Sequence, residues 1–135
     1  MTLTQERIVL GAADAVLSVR NLETYYGPIM AIRGVSLDVR DGQIVTVLGA
    51  NGAGKTTLLK TISGVMEPEK GEILYNGRDI AGAEREEVVR AGIVHVPEGR
   101  EVFPLLTVEE HLAIGAYTRR DAASVRDDQE MVFSY

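Results

Sequence analysis

Residues 43 to 56 read Q-I-V-T-V-L-G-A-N-G-A-G-K-T, and two kinds of pattern meet inside them. Ile44, Val45, Val47 and Leu48 make a nearly continuous apolar run. Such runs suit strands covered on both faces, as at the centre of a parallel sheet. The run passes directly into Gly49-Ala50-Asn51-Gly52-Ala53-Gly54-Lys55-Thr56, which satisfies G-x-x-x-x-G-K-[ST] at every fixed position. Leu58, Leu59, Ile62 and Val65 then recur at helical spacing, until Gly64 and Pro68 end the helix. A buried strand, a glycine loop and a helix, in that order, are the context that a phosphate-binding loop requires.

The residue types fit that chemistry. Phosphate oxygens must reach backbone N–H groups, so bulky side chains cannot intervene, and Gly49, Gly52 and Gly54 permit both the close approach and positive φ. The helix start adds partial positive charge and unpaired donors. Lys55 supplies a mobile ammonium for the β and γ phosphates, and the Thr56 hydroxyl supplies an oxygen ligand for Mg²⁺. These features predict nucleoside triphosphate binding without specifying the base or the work done. A glycine-rich turn with a solvated lysine is the plainer alternative.

Upstream of the loop, Ala15–Arg20 and Ile29–Val39 alternate apolar and polar residues, which predicts half-buried antiparallel strands, with Asp41-Gly42 as a turn into the central strand. Downstream, Gly71–Tyr75 reads as a short strand and Asn76-Gly77 as a tight turn. Residues 84 to 91 read as a short helix with a solvated, charged face. Ile93-Val94-His95-Val96 is a second buried-strand run, broken by Pro97. Thr107 with Glu110 forms a capping box that opens a helix through Leu112, Ile114 and Ala116. Beyond Tyr117 the chain turns polar, and residues 1 to 14 read as a loose lead-in. The fold class is α/β: a P-loop core with a flanking antiparallel sheet.

Composition bounds the function. The 135 residues suit one compact domain, and 14 Lys+Arg against 20 Asp+Glu give a net charge of -6. A broad basic surface for nucleic acid is therefore not expected, and a bound anion must be held locally. With no cysteine there is no disulfide, no thiolate metal site and no thiol nucleophile. The composition predicts a cytosolic domain. Neither a secretory leader nor a membrane span is legible, although the chain could dock on a protein that crosses a bilayer.

Three features around the loop carry a family resemblance. They are Tyr25-Tyr26-Gly27 before it, Gly71-Glu72-Ile73 to Asp79 after the first helix, and V-P-E-G-R-E-V-F-P-L-L-T-V-E-E-H-L from Val96 to Leu112. Their order resembles the ATP-binding cassette (ABC) transporter ATPases, and V-P-E-G-R is most similar to the ATP-binding subunits of branched-chain amino-acid importers. The resemblance extends from Val16 onward. It implies that Tyr26 stacks on adenine and that Gly49, Ala50, Asn51, Gly52, Ala53, Gly54, Lys55, Thr56 and Thr57 hold the phosphates and Mg²⁺, with Lys55 catalytic. It also implies that Glu98 occupies the position where most members carry a glutamine that touches Mg²⁺ and the lytic water. Residues 100 to 135 fall where the family's helical subdomain begins.

ATP and Mg²⁺ are the implied cofactors. The implied partners are a second copy or a paralogous ATP-binding subunit, sandwiching ATP head to tail, and transmembrane permease subunits. The implied location is the inner face of the cell membrane. The family's L-S-G-G-Q-type signature, its acidic strand with the catalytic glutamate and its switch histidine have no counterpart before Tyr135. The 135 residues therefore resemble the N-terminal part, a little over half, of such a domain, and turnover by this chain alone is not expected.

Other readings stand beside these. Tyr26 could be a packed surface aromatic, and Glu98 a solvated carboxylate. Asp79-Ile80-Ala81-Gly82 matches the D-x-x-G of GTPases, but without N-K-x-D it reads as a turn. His95 and His111 have too few acidic neighbours to argue a metal site. A nucleotide-binding fragment without turnover and an unrelated P-loop kinase or GTPase remain as alternatives.

Overall fold

The structure, a computed structural model, describes residues 15–99 and 101–135. The expected lead-in over residues 1 to 14, and Arg100 at the start of the expected subdomain, lie outside the described residues. The chain forms two compact units, Met1–His95 and Val96–Tyr135.

The first unit is built on a four-stranded antiparallel sheet. Strand β1 (Ala15–Tyr26) and strand β2 (Ile29–Arg40) form a long hairpin closed by Gly27-Pro28. Strand β3 (Lys70–Tyr75) pairs with the other side of β1, and β4 (Arg78–Asp79) follows across the Asn76-Gly77 turn. The resulting order is β2-β1-β3-β4. The alternating apolar pattern of β1 and β2 therefore does what it implies, pairing in antiparallel register with one face toward a core.

Helix α1 (Lys55–Ile62) supplies Leu58 and Ile62 to that core, where they join Val19, Leu22, Ile32 and Ile73. Each such buried aliphatic side chain contributes roughly 1.5 to 3 kcal/mol relative to exposure. A polar contact fixes the helix against β1: the Thr24 and Thr61 hydroxyls are 3.2 Å apart and buried. Thr61 Oγ1 also donates to the Thr57 carbonyl at 2.8 Å, so neither oxygen is stranded in the core. Helix α2 (Arg85–Ala91) buries Val88 and leaves its charged residues in water, as its composition predicts.

Two expected strands are absent. Residues 43–50 and 93–96 are not paired into the sheet, and Ile44, Leu48, Val94 and Val96 are 93%, 88%, 76% and 86% exposed. Their apolar sequences ask for cover on both faces, yet among the described residues no strand pairs with either. Every strand that forms is antiparallel, and the parallel layer implied by both runs is not assembled.

The second unit contains α3 (Val108–Gly115) and α4 (Ala122–Phe133). The capping box at the start of α3 is present as expected. The Thr107 hydroxyl accepts from the Glu110 N–H at 3.2 Å, and the Glu110 carboxylate accepts from the Thr107 N–H at 2.7 Å. Helix α4 lies in the polar stretch beyond Tyr117, where the sequence pattern assigns no particular element. Its Ala122, Val125 and Val132 line a groove of about 570 Å³ facing Leu112 and Ala116 of the α3 end. The intervening Asp127, Asp128 and Glu130 hide that thin apolar stripe in the sequence.

Candidate functional site

The glycine loop lies where its sequence places it, between the extended segment 43–50 and α1. Gly54 is the N-cap of α1 and adopts φ 89 and ψ 6, a left-handed conformation. A Cβ at Gly54 would lie 2.6 Å from the Ala31 carbonyl oxygen in β2, so space as well as backbone angle requires glycine there. The loop also closes on itself through an Ala53 N–H bond to the Ala50 carbonyl at 3.1 Å.

Helical bonding begins at the Leu58 N–H, which donates to the Gly54 carbonyl at 2.8 Å. The amides of Lys55, Thr56 and Thr57 thus belong to the first turn, whose donors have no intrahelical partner. They share the positive end of the helix dipole. Lys55 folds over the loop and its Nζ donates to the Gly49 carbonyl at 2.7 Å and the Ala50 carbonyl at 2.8 Å. An ammonium has three donors, so one is left for an incoming oxygen. First-turn amides and a braced ammonium are the donor set that a polyphosphate needs.

The two threonines differ. Thr56 is exposed, whereas Thr57 is 6% exposed and faces the core. The Thr56 hydroxyl is therefore open to a hard cation, and Thr57 offers an external ligand its amide rather than its side chain. One hydroxyl is a sparse ligand set, which suits Mg²⁺ arriving on a phosphate with most of its waters. Among the described residues no group of three or more His, Cys, Asp or Glu is placed to hold a metal.

Tyr26 ends β1 opposite Ile29 and is 48% exposed. It follows buried Leu22 and Thr24 along the strand, across register irregularities at Leu22/Thr24 and Thr24/Tyr25. Thr24 pairs with Ile32, next to the Ala31 carbonyl that meets Gly54. Glu98 is exposed in a turn with Gly99, which has φ 95, and it belongs to the second unit. The structure brings Gly49 to Thr57 together in one loop and helix start. The expected strand leading to Glu98 does not form.

Two contributors had no local signal. The Ala31 carbonyl seats Gly54 through a contact between residues distant in sequence, and the Thr24–Thr61 pair anchors the loop helix in the same way.

The ABC transporter family model matches residues 32–133. The chain belongs to this family. An ABC chain of this kind is 46% identical, over 84% of its length, to the high-affinity branched-chain amino acid transport ATP-binding protein BraG of Pseudomonas aeruginosa, covering 49% of that protein. It is 34% identical to the ribose import ATP-binding protein RbsA of Corynebacterium glutamicum, over 78% of this chain and 20% of that one. Among solved structures, MJ1267, an ATP-binding cassette of an ABC transporter, aligns with a TM-score of 0.68 and 32% identity over 74% of this chain and 40% of its own. The chain spans about half the length of BraG and less of the other two. The fold is that of the ABC ATPases, here with the antiparallel sheet and helices of the domain.

Proposed function

We propose that the chain supplies the phosphate-binding half of an ATP-binding subunit in an ABC importer, and that the imported solute is a branched-chain amino acid. The observation that carries the nucleotide reading is the loop geometry. Left-handed Gly54 caps α1, whose first-turn amides are free of helical partners, and the Lys55 ammonium is held over the same loop on the Gly49 carbonyl. In this reading those amides and Lys55 hold the β and γ phosphates, and Thr56 gives Mg²⁺ one oxygen. The ring of Tyr26 covers adenine, and Glu98 meets the metal. Bound Mg²⁺ supplies charge neutralisation for phosphoryl transfer, which depends mainly on positioning and electrostatics.

The likeness to BraG supports the solute class, while RbsA, a ribose import ATP-binding protein, is also 34% identical over 78% of this chain. The proposed partners are a second ATP-binding subunit, which closes the nucleotide site head to tail, and transmembrane permease subunits that hold the chain at the inner membrane face. No helix among the described residues is long and apolar enough to cross a membrane, which fits attachment through a partner. The exposed Ile44 and Leu48 favour a second reading for the 135 residues by themselves, namely ATP binding without turnover. The segment that feeds the loop has no sheet behind it, so the site is only partly braced.

Calorimetric titration with MgATP and MgGTP, together with phosphate release, tests these readings. Saturable MgATP binding lost in Lys55→Ala supports the assignment, and the absence of nucleotide binding by the folded chain overturns it. GTP selectivity would instead favour a GTPase. The solute is tested by leucine and ribose uptake in cells that depend on the full-length subunit.

A further inference from the structure

Phe103 and His111 are joined twice. The Phe103 N–H donates to His111 Nε2 at 2.9 Å, and the two ring centroids are 5.9 Å apart with a 32° tilt. On the other side of the imidazole, His111 Nδ1 lies 2.7 Å from the Thr107 carbonyl oxygen. A carbonyl only accepts, so Nδ1 carries the hydrogen; a backbone N–H only donates, so Nε2 keeps its lone pair. Both bonds are satisfied together only by the neutral Nδ1–H tautomer.

We propose that His111 is a proton-operated latch, holding the turn at residues 103–106 against α3 while neutral and releasing it when Nε2 is protonated. Protonation puts a second N–H where the Phe103 N–H already points, so an attractive contact becomes a donor–donor clash. A charged imidazole in the first turns of α3 also opposes the positive end of the helix dipole. The neighbouring carboxylate is that of Glu110, which precedes His111 on α3. Arg119, Arg120 and Asp128 line the groove that His111 shares with α4. Arg119 is itself engaged by Asp121 and Asp128.

The device separates release from helix melting. Bonds from the Thr107 backbone N–H and then from its hydroxyl hold the Glu110 carboxyl below the ordinary glutamate range. A group lowered in this way keeps its stabilising charge above its unfolded value and loses it only as pH falls through the folded one. The capping box therefore stays charged as pH falls through the ordinary glutamate range. What is released is the Phe103-Pro104-Leu105-Leu106 turn, closed by the Leu106 N–H on the Phe103 carbonyl at 3.0 Å. It carries exposed Phe103 and Leu105 and follows exposed Val102, so the latch governs how an apolar segment is presented.

Long-range ¹H–¹⁵N spectra and amide hydrogen exchange of the labelled 135-residue chain test this without any nucleotide. The expected result is an Nδ1–H tautomer at neutral pH. Phe103 amide protection, corrected for intrinsic exchange, should fall about fivefold or more across the pH 5 to 8 span in which histidine changes charge, while Ile114 protection in α3 persists. His111→Phe keeps a ring but no acceptor and should leave Phe103 weakly protected throughout that span. An Nε2–H tautomer in the parent chain, or Phe103 protection that is independent of pH, overturns the latch even if the variant does not fold.

Discussion

A Cβ on Gly54 would stand 2.6 Å from the Ala31 carbonyl oxygen, and through that approach the start of α1 rests on β2. Gly52 shares the left-handed backbone, with φ 82 against 89 at Gly54, but a Cβ there meets nothing within 4 Å. Alanine at either position bears the left-handed penalty of roughly 1 to 2 kcal/mol, and Gly54→Ala must in addition push the loop from the sheet. Chemical unfolding should therefore show Gly54→Ala to be the less stable of the two, with MgATP affinity reduced more strongly as well. Equal losses in the two variants would mean that the Ala31 contact does not set the loop.

Lys55 bridges two carbonyls of its own loop and keeps one donor free. A charge-assisted contact to phosphate contributes roughly 1.5 to 3 kcal/mol. Lys55→Ala should weaken MgATP binding by about tenfold or more on that scale, while circular dichroism stays unchanged because no core residue is touched. Calorimetry on the folded variant decides it, and unaltered affinity would remove the lysine from the site.

How much of this was legible in the sequence depends on whether a signal is local. The G-x-x-x-x-G-K-[ST] spacing, the alternation in β1 and β2, the Asn76-Gly77 turn and the Thr107–Glu110 box act over a few residues, and each appears where the pattern puts it. The runs at Ile44–Leu48 and Ile93–Val96 carry a different instruction. Their apolarity states that cover is wanted on two faces, and that cover comes from other strands, so composition alone predicts burial where the described structure leaves exposure. Contacts such as Ala31 with Gly54 and Phe103 with His111 depend on how segments fold back, and no spacing rule reports them.

Tyr26 offers a test of the proposed base pocket. Stacking of a base on an aromatic side chain is worth about 1 to 3 kcal/mol, so Tyr26→Ala should reduce ATP affinity about fivefold to a hundredfold. Tyr26→Phe should bind nearly as the parent does, because the ring provides the contact. Fluorescent-nucleotide titration of the three proteins distinguishes the cases. Equal binding by the alanine variant would move the role to a neighbouring aromatic, with Tyr25 the first to examine.

The link between α3 and α4 should resist acid. The Arg119 guanidinium bonds the Asp121 carboxylate at 2.6 Å and also engages Asp128, and that bond, chiefly, holds the Asp121 carboxyl down at about 2, from an ordinary 3.8. A depressed carboxyl adds stability that is fully present above its unfolded value and is lost as pH falls through its folded value. The contribution should thus persist above about pH 4 and disappear toward pH 2. Carbon-detected NMR titration should find Asp121 still ionised at pH 3, and Asp121→Asn should reduce the acid-dependent shifts of the Arg119 side chain. An Asp121 midpoint near its ordinary value would show that the ion pair does not hold in solution.

The family resemblance implies a glutamine where this chain carries Glu98, and that difference has a measurable consequence. A glutamine side chain offers Mg²⁺ a neutral carbonyl oxygen, whereas a carboxylate offers a charged and harder one, which a hard cation binds more strongly. Without Mg²⁺ the same charge repels the γ phosphate. If Glu98 meets the nucleotide as proposed, ATP binding should depend more steeply on Mg²⁺ in the parent than in Glu98→Gln, and metal-free ATP should bind the variant several-fold better. Glu98 is exposed beside left-handed Gly99 rather than at the end of a formed strand, so its reach depends on the turn. A carboxylate left in bulk water would act on phosphate only through a screened field, which fades over about 8 to 10 Å at ordinary ionic strength. ATP titrations of both proteins, with Mg²⁺ and with a chelator, separate these cases, and identical metal dependence would place Glu98 outside the site.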